Sequence, residues 1–261
     1  LGLEPQVRMP GNLMWQHRTT EEEEIYFIAE EDGNAFTGEV TLSGTGAAFV
    51  ADPVTGAAVP VDARTADGYT TVRMDMPRSG ARFVVIRKDA KPSRAAVRGD
   101  AGGTEIGGPW RLTFEKGWGV EDPVTVDRLV SWTDLPLTDE GKAYSGTETY
   151  ETAFDCAQTD GPRTLDLGEV ELSAEVWLNG ERLGCAWTWP YRFDATGKVR
   201  KGRNELKVAV TGTWINRLLY DARQPAASRK TWTNACPKPE SGPLQASGLL
   251  GPVRLMTEAD R

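Results

Sequence analysis

Short runs of alternating hydrophobic and polar residues, separated by Gly, Pro, Asp and Asn, recur through this 261-residue chain. A period of two puts every second side chain on one face of a strand, so the pattern predicts β-structure; helical periodicity is scarce. Tyr69 to Met76 (YTTVRMDM) is the clearest case, with Thr70, Val72, Met74 and Met76 expected on one side. Further strands are predicted at 25–30 (IYFIAE), 37–43 (TGEVTLS), 48–51 and 82–87 (RFVVIR). Turns are marked by Asp52-Pro53-Val54-Thr55-Gly56 and Arg78-Ser79-Gly80. Roughly five to seven strands in under 90 residues describe a small β-sandwich.

The pattern then breaks. Ala90 to Gly108 (AKPSRAAVRGDAGGTEIGG) has almost no bulky apolar residue and reads as a linker, which places a domain boundary near residue 98. Strands resume around Trp110, at 149–154 (TYETAF), 163–167 (RTLDL), 174–178, 205–210 (ELKVAV) and 253–256. Between them stands AEVWLNGERLG, residues 174–184. Asn179-Gly180 flanked by alternating apolar residues predicts a hairpin closed by a type I′ turn, because that turn needs positive φ at both central residues. Trp177, at a strand centre, is expected in the core. The expectation is an all-β chain of two sandwiches, 1–98 and 99–261, the second of the jelly-roll kind. The one helical piece is expected around Trp214 to Asp221.

Composition narrows the function. Thirty-eight acids against 30 bases give a net charge of -8, which argues against a nucleic-acid binder, where a basic stripe is expected. No apolar run reaches the ~18–20 residues that a membrane-spanning helix needs. No basic-then-apolar leader can be read at Leu1, which leaves open a leader or a larger N-terminal portion before it. Cys156, Cys185 and Cys236 are too few and too scattered for a zinc site or a disulfide framework; three mostly buried thiols are expected, with one bridge, for example Cys185–Cys236, as the alternative. The single His17 rules out His-pair metal chemistry and reads as a packed structural residue.

Known enzyme signatures are absent: no glycine-rich phosphate loop, no Gly-x-Ser-x-Gly, no Cys-x-x-Cys, no His-Glu-x-x-His. A glycosidase needs two carboxylates ~5–10 Å apart across the sugar, and the sequence nominates no such pair. Glu115, Glu121, Asp122 and Asp127, near Trp118, fit a solvated surface better than a cleft. Aromatics say more, because eight of the nine Trp lie after residue 109. Several fall in polar, turn-like company, as in Ser131-Trp132-Thr133 and Trp187-Thr188-Trp189-Pro190-Tyr191-Arg192-Phe193. Aromatic faces give sugars a flat apolar platform, while Arg, Asn and Asp fix hydroxyls; sandwich cores also bury large aromatics. The candidate carbohydrate contacts are Trp189, Tyr191, Arg192, Trp214, Asn216, Arg217 and Asp221. On a helix, Arg217 and Asp221 are four apart and share a face, either as a salt bridge that ties down a loop or as the rim of a pocket.

The run from Leu165 to Asp221 resembles the sugar-binding-type jelly roll of family 2 glycoside hydrolases. The likeness rests on the hairpin Gly168 to Gly184, Phe193-Asp194-Ala195-Thr196, the turn Gly202 to Leu206, and Ser247 to Val253. The fuller pattern resembles the C-terminal region of α-L-rhamnosidase-type enzymes of glycoside hydrolase family 106. GPWRLTFEKGWG, LVSWTDLP, YSGTETYETAF, TWINRLLYD and SGLLGPVRL carry that likeness. In the first part, QHRTTEEEEIYFIAEEDG and ADPVTG resemble the sandwich that follows the catalytic barrel. The resemblance implies a galactose-binding-like second domain and an extracellular or periplasmic setting. It implies catalytic carboxylates on a barrel that precedes everything here, so no catalytic residue is carried over. Leu250-Gly251 stand where family 2 galactosidases have Arg-Asp, which argues against sugar contact through that loop. Related jelly rolls bind calcium, so a structural calcium is left open, but no Asp pattern here forms a recognisable ligand loop. No other cofactor is expected.

The leading expectation is an accessory, non-catalytic region of a glycoside hydrolase. Its partners would be a catalytic barrel, in cis or in trans, and a plant or microbial glycan, rhamnose-containing if the family likeness holds. It predicts an exposed apolar patch where such a barrel would dock. An autonomous carbohydrate-binding module predicts an exposed aromatic shelf with polar neighbours. A small stand-alone glycosidase predicts two facing carboxylates in a deep cleft.

Overall fold

The computed structural model describes residues 4–90, 99–234 and 242–259. Among the described residues the chain divides into two compact units, 4–90 and 99–259. Both are built almost wholly of antiparallel strands.

Unit 1 contains β1 (Val7–Arg8), β2 (Leu13–Thr19), β3 (Glu23–Glu30), β4 (Phe36–Ser43), β5 (Ala47–Ala51), β6 (Ala58–Pro60), β7 (Ala63–Ala66), β8 (Tyr69–Met76) and β9 (Ala81–Arg87). They form two sheets, β1-β4-β8-β7 and β2-β3-β9-β5-β6. The alternation in β8 decides its orientation: Thr70, Val72, Met74 and Met76 are all at most 3% exposed. Val72, Met74 and Met76 meet Val40 and Leu42 of β4 and, from the other sheet, Tyr26, Ile28, Val84 and Ile86 in one apolar core. His17 is structural, its ring stacked on Tyr26 at 4.1 Å and its Nε2 2.7 Å from Glu24 Oε2.

Unit 2 begins with β10 (Gly99–Glu105), β11 (Trp110–Thr113), β12 (Val124–Val126), α1 (Asp139–Lys142), β13 (Thr147–Cys156), β14 (Arg163–Asp166) and β15 (Glu169–Glu171). It continues with β16 (Ser173–Leu178), β17 (Glu181–Ala186), β18 (Arg192–Asp194), β19 (Gly202–Thr211), α2 (Ile215–Ala222), β20 (Gly248–Gly251) and β21 (Arg254–Ala259). A six-stranded sheet, β12-β11-β13-β19-β16-β17, faces a four-stranded one, β10-β21-β14-β18. Leu112, Tyr150, Val176, Val208, Leu165 and Leu255 belong to the core of this unit. Asn179 and Gly180 have φ of 54° and 83°, the two left-handed residues that the hairpin turn requires.

The structure corrects three expectations. Gly99–Glu105, inside the stretch read as a linker, is strand β10, paired along its length with β21. Its partner comes from the far end of the chain, so no local signal announces it. Trp177 is half-exposed on the outer face of β16, because Ala174, Val176 and Leu178 take the inward positions of a strand with period two. Cys185 is exposed and Cys156 half-buried rather than both being buried. Cys236 lies outside the described residues, and so does the bridge considered for it.

Candidate functional site

Strand register brings the loops of unit 2 together at one end of the six-stranded sheet. Thr147 pairs with Thr211, Thr211 with Ser173, and Ala174 with Ala186. Gly146, Gly212, Leu172 and Trp187 therefore emerge side by side, and Trp214 follows two residues after Gly212. Leu172, Trp187 and Trp214 are 48%, 60% and 52% exposed. Trp232, also highly exposed, follows a segment bonded to the last turn of α2. The exposed large apolar side chains of unit 2, among the described residues, are gathered on this end.

The Trp187–Phe193 loop is braced from beneath. Tyr191 is buried, and its hydroxyl donates to the carbonyl of Leu172 at 2.6 Å. Leu172 itself sits at φ 113°, a conformation that side chains other than Gly avoid, so the hydroxyl helps hold a strained residue outward. The Trp189 ring meets Tyr191 edge-on at 5.5 Å. Arg192 pairs with Asp166 at 2.8 Å on the surface. Of the candidates here, Trp189 keeps part of its face in solvent, while Tyr191 is a prop beneath the loop.

The second group is organised by α2. Asn216, Arg217 and Asp221 are buried on one side of this helix, at most 2% exposed. Asn216 clasps the segment before β20: its Nδ2 donates to Gln245 O (2.7 Å) and Ser247 Oγ (3.0 Å), and its Oδ1 accepts from Gln245 N (2.7 Å). Arg217 lies between Glu140 of α1 (Nη1 to Oε1, 2.9 Å) and Asp221 (Nη2 to Oδ1, 2.8 Å). Its guanidinium also lies 5.1 Å from the Trp118 ring and 5.2 Å from the Tyr220 ring. Asp221 Oδ2 accepts from Lys230 N, Thr231 N and Thr231 Oγ1 at 2.7–3.0 Å. Lys230 reaches back to Glu140 (2.7 Å) and to the carbonyl of Gly117 (2.6 Å). Trp118 in turn meets Trp214 edge-on at 5.8 Å.

This network fixes the charges. The Lys230 hydrogen bond holds the Glu140 carboxyl below its ordinary value, against burial and with help from Arg217. Burial opposes ionisation of Asp221, but Thr231 and Arg217 outweigh it and hold the carboxyl low. Both carboxylates are therefore anionic partners of one guanidinium. Neither has the raised pKa of a general acid that faces a substrate. The carboxyl pushed well up by burial is Glu148, which is fully enclosed in the core and reaches no surface. What the arrangement offers is an exposed apolar rim of Leu172, Trp187 and Trp214 beside a buried, charge-paired base.

Of the four candidate sugar contacts around α2, only Trp214 presents itself to solvent; Asn216, Arg217 and Asp221 are at most 2% exposed, because their polar groups are spent on the Gln245, Glu140 and Thr231 contacts, and they brace the fold instead of facing a ligand. Leu172, Trp187, Glu140 and Lys230 were not among the named contacts. Trp187 lay within the aromatic run. Glu140 and Lys230 carry no sequence signal, because each is far along the chain from Arg217. A separate groove of about 730 Å³ lies on the outer face of the same sheet, toward the Asn179 hairpin. Trp177, Glu151, Glu205 and Lys207 line it, and none of the candidate residues does. Among the described residues no group of three or more His, Cys, Asp or Glu side chains could hold a metal ion.

Comparison with known proteins adds context. Residues 141–243, which carry most of this site, match the family model described as glycosyl hydrolase 2 galactose-binding domain-like. A protein of Formosa agariphila named "Putative beta-glucuronidase" is 33% identical over 178 residues, covering 58% of this chain and 15% of that protein. The solved structure of a rhamnosidase from Novosphingobium sp. PP1Y aligns with 98% of this chain at 31% identity and a TM-score of 0.79. This chain spans 25% of the rhamnosidase. Together these support a glycoside-hydrolase-associated β-sandwich with a galactose-binding-like domain.

Proposed function

We propose that this chain is an accessory, non-catalytic region of a glycoside hydrolase of the α-L-rhamnosidase type, family 106, and that it works beside a catalytic barrel. The aromatic end of unit 2 is its contact surface for glycan. The observation that carries this reading is the gathering of Leu172, Trp187 and Trp214 at one sheet end, with the Leu172 carbonyl held by the Tyr191 hydroxyl and Trp214 packed edge-on against Trp118. A rim ordered in advance loses less entropy on binding. The rhamnosidase match over nearly the whole chain supports the substrate class. A second reading, a module that binds glycan unaided, is favoured by the same rim, since its parts all come from unit 2.

The test is a screen of the 261-residue chain against rhamnose-containing oligosaccharides and against aryl α-L-rhamnosides and β-glucuronides, with binding and turnover measured together. Binding without turnover is expected, lost in Trp214→Ala and Trp187→Ala at unchanged melting temperature. Turnover that disappears on substituting one carboxylate would overturn the accessory reading. Equal affinity with and without a catalytic barrel would favour the autonomous module.

A further inference from the structure

The five-stranded sheet of unit 1 is apolar on both faces. Its inner face supplies Tyr26, Ile28, Val84 and Ile86 to the core. The alternate positions point the other way. In one row across the sheet stand Gln16, Phe27, Phe83 and Ala51; in the next stand Arg18, Ile25, Val85 and Phe49. Phe27 and Phe83 lie ring to ring at 5.1 Å. Ile25, Phe27, Phe49, Phe83 and Val85 each remain partly exposed, and none belongs to either buried core. At the margin Arg87 covers Phe49 at 4.6 Å and pairs with Glu23 at 2.9 Å, and Arg18 and Gln16 close the other side. An apolar, phenylalanine-rich centre inside a polar margin is the anatomy of a protein interface, and a contiguous patch of this kind is uncommon on a free surface.

We infer that this outer face is the seat of another domain of the same glycoside hydrolase, an inference that rests on the accessory reading above. Three observations select that occupant. The centre offers no polar group to fix sugar hydroxyls, so it does not suit glycan. A second copy would bring together two chains of net charge -8. In the rhamnosidase, the span matched by this chain is one quarter of the polypeptide, so about three quarters of such a chain is available to cover the face.

The test compares the same substitutions, Phe27→Gln with Phe83→Gln, in two settings: the isolated 261-residue chain, and the Novosphingobium rhamnosidase with its matching quarter replaced by this chain. In the isolated chain the melting temperature is expected to stay unchanged. In the composite enzyme it is expected to fall by about 5 °C or more, because two interface anchors are lost. If the composite enzyme does not fold, polar substitutions at the two aligned positions of the unaltered rhamnosidase give the same comparison. Equal melting in both settings overturns the inference. So does a large loss in the isolated chain, which would make these residues core. Concentration-dependent dimers in sedimentation, abolished by the same pair, would assign the face to a second copy and overturn it too. Glycan binding by the isolated chain, read with Trp214→Ala, is independent of every one of these outcomes, so failure here and failure of the glycan reading are told apart.

Discussion

Replacing Glu148 by Gln should make unit 2 more stable at neutral pH, by an amount that grows with pH. Glu148 lies on the inward face of β13, two residues before Tyr150, and has no solvent exposure. Neither carboxyl oxygen has a hydrogen-bond partner in good geometry. The Tyr150 hydroxyl already accepts from Trp132 Nε1 (2.7 Å) and from Leu249 N (3.0 Å). Burial therefore pushes the carboxyl well above its usual range, and Tyr150 and Trp132 offset only part of this. The sign follows from linkage. Below about pH 4.5 the carboxyl is protonated in both folded and unfolded chains and contributes nothing. Above that value the unfolded chain releases the proton while the folded chain keeps it. Folding then loses about 1.4 kcal/mol per pH unit until the folded pKa is passed.

Urea unfolding followed by Trp fluorescence at pH 5, 6, 7 and 8 measures this, since eight of the nine Trp lie in residues 99–261. The expected result is a gap between Glu148→Gln and the parent that widens from pH 5 upward. Glu140 and Asp221, whose folded pKa values are lowered, work in the opposite sense. Their stabilisation is present above the unfolded carboxylate range and is lost as pH falls through the folded values. They are the same in both proteins and cancel in the difference. Parallel stabilities from pH 5 to pH 8 would refute the argument, because they would mean that Glu148 is already ionised in the fold.

Arg217→Ala leaves Asp221 and Glu140 facing each other without their guanidinium, and should cost unit 2 about 3–5 kcal/mol in chemical denaturation. Arg217→Lys should recover only part, because one ammonium cannot reproduce both contacts. Gly248→Ala would place a Cβ 2.0 Å from Trp132 Nε1 and 2.4 Å from the Tyr150 hydroxyl, at φ 99°, so little or no soluble protein is expected. Trp177→Ala, on the outer face with Lys207 4.8 Å from its ring, should cost under about 1.5 kcal/mol by thermal melting. A larger loss would mean that this ring supports the core.

The hairpin 174–184 shows why the fold could be read and the site only in part. Asn179-Gly180 is local chemistry, and it produced the turn. What the sequence could not show is that the Asn179 amide bonds Asn204 Oδ1 (2.9 Å) and Lys198 O (3.0 Å) while its Oδ1 accepts from Glu205 N (3.0 Å). The motif is thus a clamp between two turns, and it lies at the end of the sheet opposite to the aromatic rim. Arg217 and Asp221 could be paired in advance because helical spacing of four is local. Glu140, 77 residues away from Arg217, could not. Trp177 faces outward because ring size does not decide which face of a strand is inward; Ala174, Val176 and Leu178 on the same strand do.

A further signal lies in the strands that do not alternate. In YTTVRMDM the polar positions announce a solvated face, and β8 has one. In β3 and β9, by contrast, Ile25-Tyr26-Phe27-Ile28 and Phe83-Val84-Val85-Ile86 are apolar at every position. Such runs belong to strands covered on both faces. The opposite sheet of unit 1 covers one. An ordinary free surface would not keep Phe27, Phe49 and Phe83 together on the other, where a single polar replacement per strand would remove the liability. The absence of alternation in these two strands is therefore the sequence-level trace of a contact that the strand pairing within unit 1 does not account for.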